Sequence, residues 1–293
     1  MKGIILAGGS GTRLYPITEG ISKQLMPIYD KPMIYYPISV LMLAGIKDIL
    51  IITTPEDKPY FERLLGTGEK FGVNFKYAVQ PSPDGLAQAF IIGEEFIGDD
   101  ACAMVLGDNI FYGNDLTKLL KDARENAEQG FATNFGCEVP DPHRFGIVEI
   151  DDKQNILSVE EKPSNPKSNF AITGLYFYPK GVAQKAKEVK PSARGELEIT
   201  TLNDMYLQEK KLKAIILDWG YTWFDTGTFE SQLEASVIVK GLQHSSGKII
   251  SCLEQIAYNQ NWITKEDLTL RGELMKKNTY GQFLLEVANK EVK

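Results

Sequence analysis

A short apolar run, GIILA at residues 3–7, breaks at once into Gly8, Gly9, Ser10, Gly11, Thr12 and Arg13. So short a run, rich in β-branched residues and bounded by glycine, reads as a buried strand. The glycines let the backbone turn sharply and come close to a ligand, because no Cβ intervenes. Their N–H groups, with the Ser10 and Thr12 hydroxyls, suit an anion, and Arg13 adds a fixed charge on a planar donor fork. The segment reads as a phosphate-gripping loop.

Spacing alone leaves the type of loop open. No Gly-Lys-[Ser/Thr] follows, so it is not a P-loop. A dinucleotide G-x-G-x-x-G fits Gly9 and Gly11 but meets Leu14, and a nucleophile elbow G-x-S-x-G fits Gly8 and Ser10 but ends on Thr12. A tight strand-to-helix turn without a ligand is the alternative.

The chain then alternates. A helix is expected from residues 30–33, with Pro32 at its first position and Pro37 kinking or restarting it. Strands are expected at 46–53, 74–79 and 101–106, and helices at 57–65, 86–96 and 115–128, the last with Asn114 as a possible cap. Such alternation predicts a parallel sheet with helices on both faces, whose ligands lie beyond the carboxyl ends of the strands. Those ends carry residues 8–13, 80–85 and 107–109.

Beyond residue 130 the pattern changes. Residues 131–138, 146–150, 156–161 and 170–178 read as strands joined by turns, predicting a mixed or antiparallel addition. Helices follow at 181–188, 198–209 and 229–241, with a strand at 213–218. From 248 through Val292 the composition is helical, with Leu268, Leu274, Phe283, Leu284 and Val287 as its apolar members, suited to packing on the body or on another subunit. The expected class is α/β: a Rossmann-like, mixed but mainly parallel sheet with helices on both faces, a β insertion and a helical C-terminal segment.

Composition narrows the partners. Lys+Arg 32 against Asp+Glu 39 gives a formal charge of −7, which opposes broad nucleic-acid or acidic-membrane binding. An anionic small substrate then requires a few cations focused on one cleft. Cys102, Cys137 and Cys252 form no C-x-x-C pair and read as small buried hydrophobes in a reducing compartment. Residues 3–7 are too short for a signal-peptide core, and no apolar stretch approaches the roughly 20 residues that span a bilayer. The expected location is cytoplasmic, with no membrane partner.

Asp108 closes an apolar strand beside Gly107, where a carboxylate suits a hard cation such as Mg²⁺ or, alternatively, a turn cap. Asp225 stands similarly after Trp223 and Phe224. Glu161 and Lys162 follow Glu160 at a strand end, either as a solvated charge cluster or as a grip on sugar hydroxyls and phosphate. Arg194 is a further phosphate contact or a loop charge. His143 and His244 lack partners at catalytic spacing. Cations with two acids, and no evident general base or activated nucleophile, point to phosphoryl-type transfer, where positioning and charge stabilisation dominate.

These residues resemble a known family. GGSGTRLYPIT (8–18), SKQLMP (22–27) and KPM (31–33) are similar to the signature of sugar-1-phosphate nucleotidylyltransferases. QPSPDGLAQA (80–89), LGDN (106–109), EEKP (160–163), GELEIT (195–200) and WFDTG (223–227) look like its glucose-1-phosphate thymidylyltransferase branch, and the match covers essentially the whole chain. The resemblance implies a Mg²⁺-dependent reaction of dTTP with α-D-glucose 1-phosphate, giving dTDP-glucose and pyrophosphate by in-line attack on the α-phosphorus.

It further implies that Gly8, Gly11, Thr12 and Arg13 hold the triphosphate, with Arg13 facing the departing pyrophosphate, and that Lys23 neutralises charge near the α-phosphorus. Asp108 and Asp225 would bind the metal. Gln80 and Gly85 would read thymine, with Gln24 assisting. Asn109, Gly146, Glu161, Lys162, Ile172 and Arg194 would form the sugar-phosphate pocket. Residues 1–247 would be the catalytic unit (1–130 mainly nucleotide-binding, 131–227 mainly sugar-phosphate-binding) and 248–293 the helical tail. The family is typically a homotetramer feeding deoxysugar synthesis, for example of rhamnose. Rival readings are a relative using UTP or CTP, or another sugar, and a non-catalytic sugar-nucleotide-binding regulator.

Overall fold

The apolar run at residues 3–7 lies inside a nine-stranded sheet, flanked in parallel by the strands at 48–53 and 102–106. In the computed structural model, residues 1–9 and 11–290 are described; Ser10, expected to offer a hydroxyl to an anion, and 291–293, where the expected helical run reaches Val292, lie outside the described residues. The strands are β1 (Lys2–Ala7), β2 (Pro27–Ile28), β3 (Lys31–Pro32), β4 (Asp48–Thr53), β5 (Asn74–Val79), β6 (Cys102–Leu106) and β7 (Asn109–Gly113). They continue as β8 (Ala132–Glu138), β9 (Gly146–Ile150), β10 (Ile156–Glu161), β11 (Phe170–Tyr178), β12 (Leu212–Leu217) and β13 (Tyr221–Asp225).

The main sheet runs β10-β9-β11-β6-β1-β4-β5, with β8 joining β11 to β12. β5, β4, β1 and β6 are parallel, whereas β11 runs antiparallel to β6, β8 and β9. The mixed, mainly parallel sheet matches the sequence expectation. Alternate side chains of the central strands feed two cores: Ile5, Ile49, Ile51, Ala103 and Val105 on one face, Ile4, Leu50, Ile52 and Met104 on the other. Helices Tyr35–Leu43 and Leu116–Glu128 contribute to the first core, and Gln88–Ile92 and Ile199–Gln208 to the second. Burial on both faces is why these strands read as continuous apolar runs.

Several local expectations are corrected. No helix begins at 30–33: β2 and β3 form a small hairpin there, and the helix starts at Tyr35. Pro37 is its third residue, in the first turn, where a missing N–H leaves no intrahelical bond unmade. The helix expected at 86–96 is two, Gln88–Ile92 and Glu94–Ile97, meeting at Gly93, where a Cβ would stand 2.9 Å from Ile4 Cδ1. The cap position of Leu116–Glu128 is Asp115 rather than Asn114, and its side chain makes no capping bond. The helix expected at 229–241 runs Phe229–Ser246, opened by a Thr228–Ser231 capping box and closed by Gly247 at φ 65°.

The tail forms helices Leu253–Asn259, Lys265–Leu274 and Thr279–Asn289. It packs on the body through buried Leu253 and Ala257, and Gln260 Nε2 donates to the Met42 carbonyl at 3.2 Å. Leu268, Phe283 and Leu284 are buried as expected, but Leu274 is 68% exposed. Among the described residues no helix is long and apolar enough to cross a membrane.

Candidate active site

The carboxyl ends of β1 and β6 place the glycine loop beside Asp108. Gly8, Gly9, Gly11, Thr12, Arg13, Lys23, Gln24, Asp108 and Gly227 line a cavity of about 230 Å³. Gly11 takes a left-handed φ of 58°, and a Cβ there would stand 3.0 Å from Thr18 Cγ2. Thr18 Oγ1 donates to the Gly11 carbonyl at 2.8 Å, fixing the turn. A Cβ on Gly227 would lie 2.7 Å from Arg13 Nη2, so glycine is what admits the guanidinium. Among the described residues Arg13 forms no ion pair, whereas buried Lys23 donates to Asp108 Oδ2 at 2.5 Å.

Asp108 and Asp225 are brought together by a ribbon that sequence reasoning did not foresee. β7 and β13 pair antiparallel with Asp225 opposite Asn109 and Trp223 opposite Phe111. Asn109, Phe111, Trp223 and Asp225 therefore share one face. Burial opposes ionisation of Asp108, but the Lys23 ammonium and hydrogen bonds from Lys23 and Asn109 hold its carboxyl below the usual carboxylate range. Asp225 shifts the other way, raised by burial and by the neighbouring Asp108 charge. Like charges held together in a cleft, with their protonation driven apart, are a mark of functional sites.

A second cavity, of about 320 Å³, shares Arg13 and Asp108 with the first and is also lined by Asn109, Gly146, Glu161, Lys162, Ile172, Arg194 and Asp225. The expected sugar-phosphate residues thus converge. Glu161 Oε2 accepts from Thr200 Oγ1 at 2.5 Å, and its Oε1 from Arg194 Nη2 at 3.3 Å. A Cβ at Gly146 would stand 3.2 Å from Glu161 Oε2, so glycine keeps this wall open. Lys162 adopts φ 42°, a strained conformation for a residue with a Cβ, and its N–H donates to the Phe145 carbonyl at 3.0 Å. Arg194 is less free than the sequence suggested: it also pairs with Glu198 at 2.8 Å and Glu196 at 3.5 Å.

Gln80 and Gly85 lie along the β5 end. Gln80 lines a third cavity, of about 610 Å³, together with Gly9 and Lys23. Its Nε2 donates to Gln88 Oε1 at 2.7 Å and to the Gly85 carbonyl at 3.4 Å, and a Cβ on Gly8 would meet its Oε1 at 2.7 Å. Gly85 has φ 109°, and Leu197 N donates to the Asp84 carbonyl at 2.7 Å, tying the loop to the GELEIT segment. Gln24 is buried and accepts from Ser22 Oγ at 3.0 Å.

Sequence reasoning missed Arg144, Tyr176, Glu198, Thr200 and Trp223 as lining residues of the second cavity. Glu198, Thr200 and Trp223 sit within motifs already singled out, so attention to motif neighbours could have found them. Arg144 lies in a short turn with no local signal.

The Nucleotidyl transferase family profile matches residues 2–240. A glucose-1-phosphate thymidylyltransferase of Neisseria gonorrhoeae is 59% identical over 99% of this chain and 100% of its own length. One of Mycobacterium tuberculosis is 53% identical, covering 98% and 99% respectively. The crystal structure of a Bacillus anthracis homologue in complex with sucrose is 42% identical and superposes with TM-score 0.75, over 81% of this chain and 94% of that one. A UDP-glucose pyrophosphorylase complexed with UDP-glucose is 26% identical, with TM-score 0.70, over 82% of this chain and 98% of that one. The chain is an enzyme of the nucleotidyl transferase family, among the glucose-1-phosphate thymidylyltransferases.

Proposed function

We propose that the enzyme transfers a thymidylyl group from dTTP to α-D-glucose 1-phosphate, releasing pyrophosphate. The observation that carries this reading is the meeting of two cavities at Arg13 and Asp108, one floored by the glycine loop and one by Glu161 and Lys162. A sugar phosphate is already ionised near neutral pH, so in-line attack on the α-phosphorus requires no general base, and among the described residues no histidine or serine is poised as one in these cavities. Lys23 would offset charge at the α-phosphate, while Arg13, free of an internal ion pair among the described residues, would meet the departing pyrophosphate. Lys162 would grip the sugar phosphate and the bound Glu161 carboxylate would accept hydrogen bonds from the sugar hydroxyls. Gln80 and Gly85, with Gln24, would read the base.

The residues fit Mg²⁺. Among the described residues no group of three or more His, Cys, Asp or Glu side chains is arranged for a metal. Asp108 and Asp225 supply two carboxylates, and Mg²⁺ characteristically keeps waters and takes one or two carboxylates plus substrate phosphates. The metal would add charge stabilisation at the reacting phosphate. The raised Asp225 carboxyl, beside the Asp108 charge, is what such a cation would relieve.

We further infer a cytoplasmic homotetramer feeding deoxysugar synthesis. Trp219 at 98% exposure, with Leu233 at 67% and Val237 at 59% on one helix, supports a subunit interface. The division into a catalytic unit at 1–247 and a tail at 248–293 belongs to the same proposal.

The test is pyrophosphate release from each nucleoside triphosphate paired with a panel of sugar 1-phosphates, with and without Mg²⁺. Highest kcat/KM for dTTP with glucose 1-phosphate is expected. Preference for UTP or CTP would overturn the base assignment.

A further inference from the structure

We infer that Trp223 and Asn109 form a positioning relay that fixes the Asp108 carboxylate and ties it to the wall of the sugar-phosphate cavity. This rests on the proposed metal role of Asp108 and deepens it. Trp223 Nε1 donates to Asn109 Oδ1 at 2.6 Å, Gly174 N donates to the same oxygen at 3.2 Å, and Asn109 Nδ2 donates to Asp108 Oδ1 at 2.9 Å.

The direction of this relay is forced by chemistry. An indole N–H and a backbone N–H can only donate, so the atom they share must be the amide oxygen. The amide nitrogen is then left facing Asp108, and flipping the amide would break both donor contacts at once. Asn109 is 2% exposed, so water is poorly placed to substitute. With Lys23 on Oδ2 and Asn109 on Oδ1, the carboxylate is held from both sides. Asn109, expected from the sequence as a sugar-phosphate contact, has its amide oxygen committed to this linkage, while the second of its two amide hydrogens is left over on a residue that lines the sugar-phosphate cavity.

The other end of the relay is the sugar-phosphate wall. The Trp223 ring lines that cavity and meets the Phe145 ring edge-on at 5.4 Å. The Phe145 carbonyl accepts the backbone N–H of Lys162 at 3.0 Å. A continuous set of contacts thus runs from Lys162 through Phe145, Trp223 and Asn109 to Asp108. Outer-shell partners of metal-binding carboxylates orient the ligand and commonly change metal affinity by about 10–100-fold when removed.

Trp223→Phe keeps an aromatic ring in the wall and removes the N–H; Asn109→Ala removes the amide. Mn²⁺ serves as the probe, titrated into the full-length enzyme with dTTP and followed by water-proton relaxation. Binding should weaken by about tenfold in W223F and by about 10–100-fold in N109A. Excess Mg²⁺ should restore the kcat of W223F. A purely packing role for Trp223 gives the opposite split, with weakened sugar-phosphate binding and unaltered Mn²⁺ affinity. Wild-type binding with equal binding by W223F would overturn the relay alone. No Mn²⁺ binding by the wild type would overturn the metal reading beneath it, and the relay with it.

Discussion

Thr226 reaches the carbonyl oxygen of Asp108 twice, through its N–H at 3.1 Å and its hydroxyl at 2.7 Å, across 118 residues of sequence. This clasp lies at the end of the β7–β13 ribbon and holds the Asp225 segment against the end of β6. Two carboxylates that would repel if free are kept together by backbone pairing and one buried hydroxyl.

We predict that Thr226→Val lowers unfolding free energy by about 1–2 kcal/mol, because the Asp108 carbonyl loses a partner in a buried site. Urea denaturation measures it, and turnover should fall as the carboxylate pair loosens. An unchanged midpoint would show that the backbone bond suffices.

Asp225→Asn should abolish most turnover yet raise thermal stability in metal-free buffer. The folded-state carboxyl titrates above its ordinary value, so stability falls as pH rises from that ordinary value through the raised one. Near neutral pH the ionised side chain is therefore a net cost, which the amide removes. Each kcal/mol recovered is worth about 2–4 °C in a chain of this order. A melting temperature in EDTA that does not rise would contradict the charge conflict.

For Arg13→Ala the expected loss in kcat/KM is on the order of 10²–10³, the usual effect of deleting one preorganised group that stabilises developing charge. Steady-state pyrophosphate release provides the number. Near-normal turnover would remove Arg13 from the leaving-group role.

Gly85→Ala should raise KM for the nucleotide and destabilise the fold by about 1–3 kcal/mol. Its φ is 109°, and a Cβ would stand 2.4 Å from Leu197 N and O. The loop carrying Gln80 must then move off the GELEIT segment. A variant with wild-type nucleotide KM and melting temperature would show that the loop relaxes freely.

The glycine loop, the parallel strands and most of the expected site residues were legible because each depends on local chemistry. Apolar runs buried on both faces announce themselves, and a glycine string after a strand has few uses. Boundaries failed where tertiary context outweighed pattern: the hairpin before Tyr35 buries Ile28 and Met33 with Ala235 and Val239 of the Phe229–Ser246 helix, and the break at Gly93 sits against Ile4 and Leu50 of the central strands. β7 and β13 went unseen because each is a five-residue, aromatic-rich segment with no pairing signal of its own, and its meaning lies in the other.

The sequence by itself determined the α/β class, the anion-suited loop and the inventory of cations and acids, since composition and short-range periodicity encode them. Only the tertiary structure decided which of these meet. It set Asp225 across from Asn109, gave Arg194 three carboxylate partners, and turned the Asn109 amide toward Asp108. Those outcomes depend on strand pairing and on which donors reach a buried oxygen, and both are properties of the folded chain rather than of residue order.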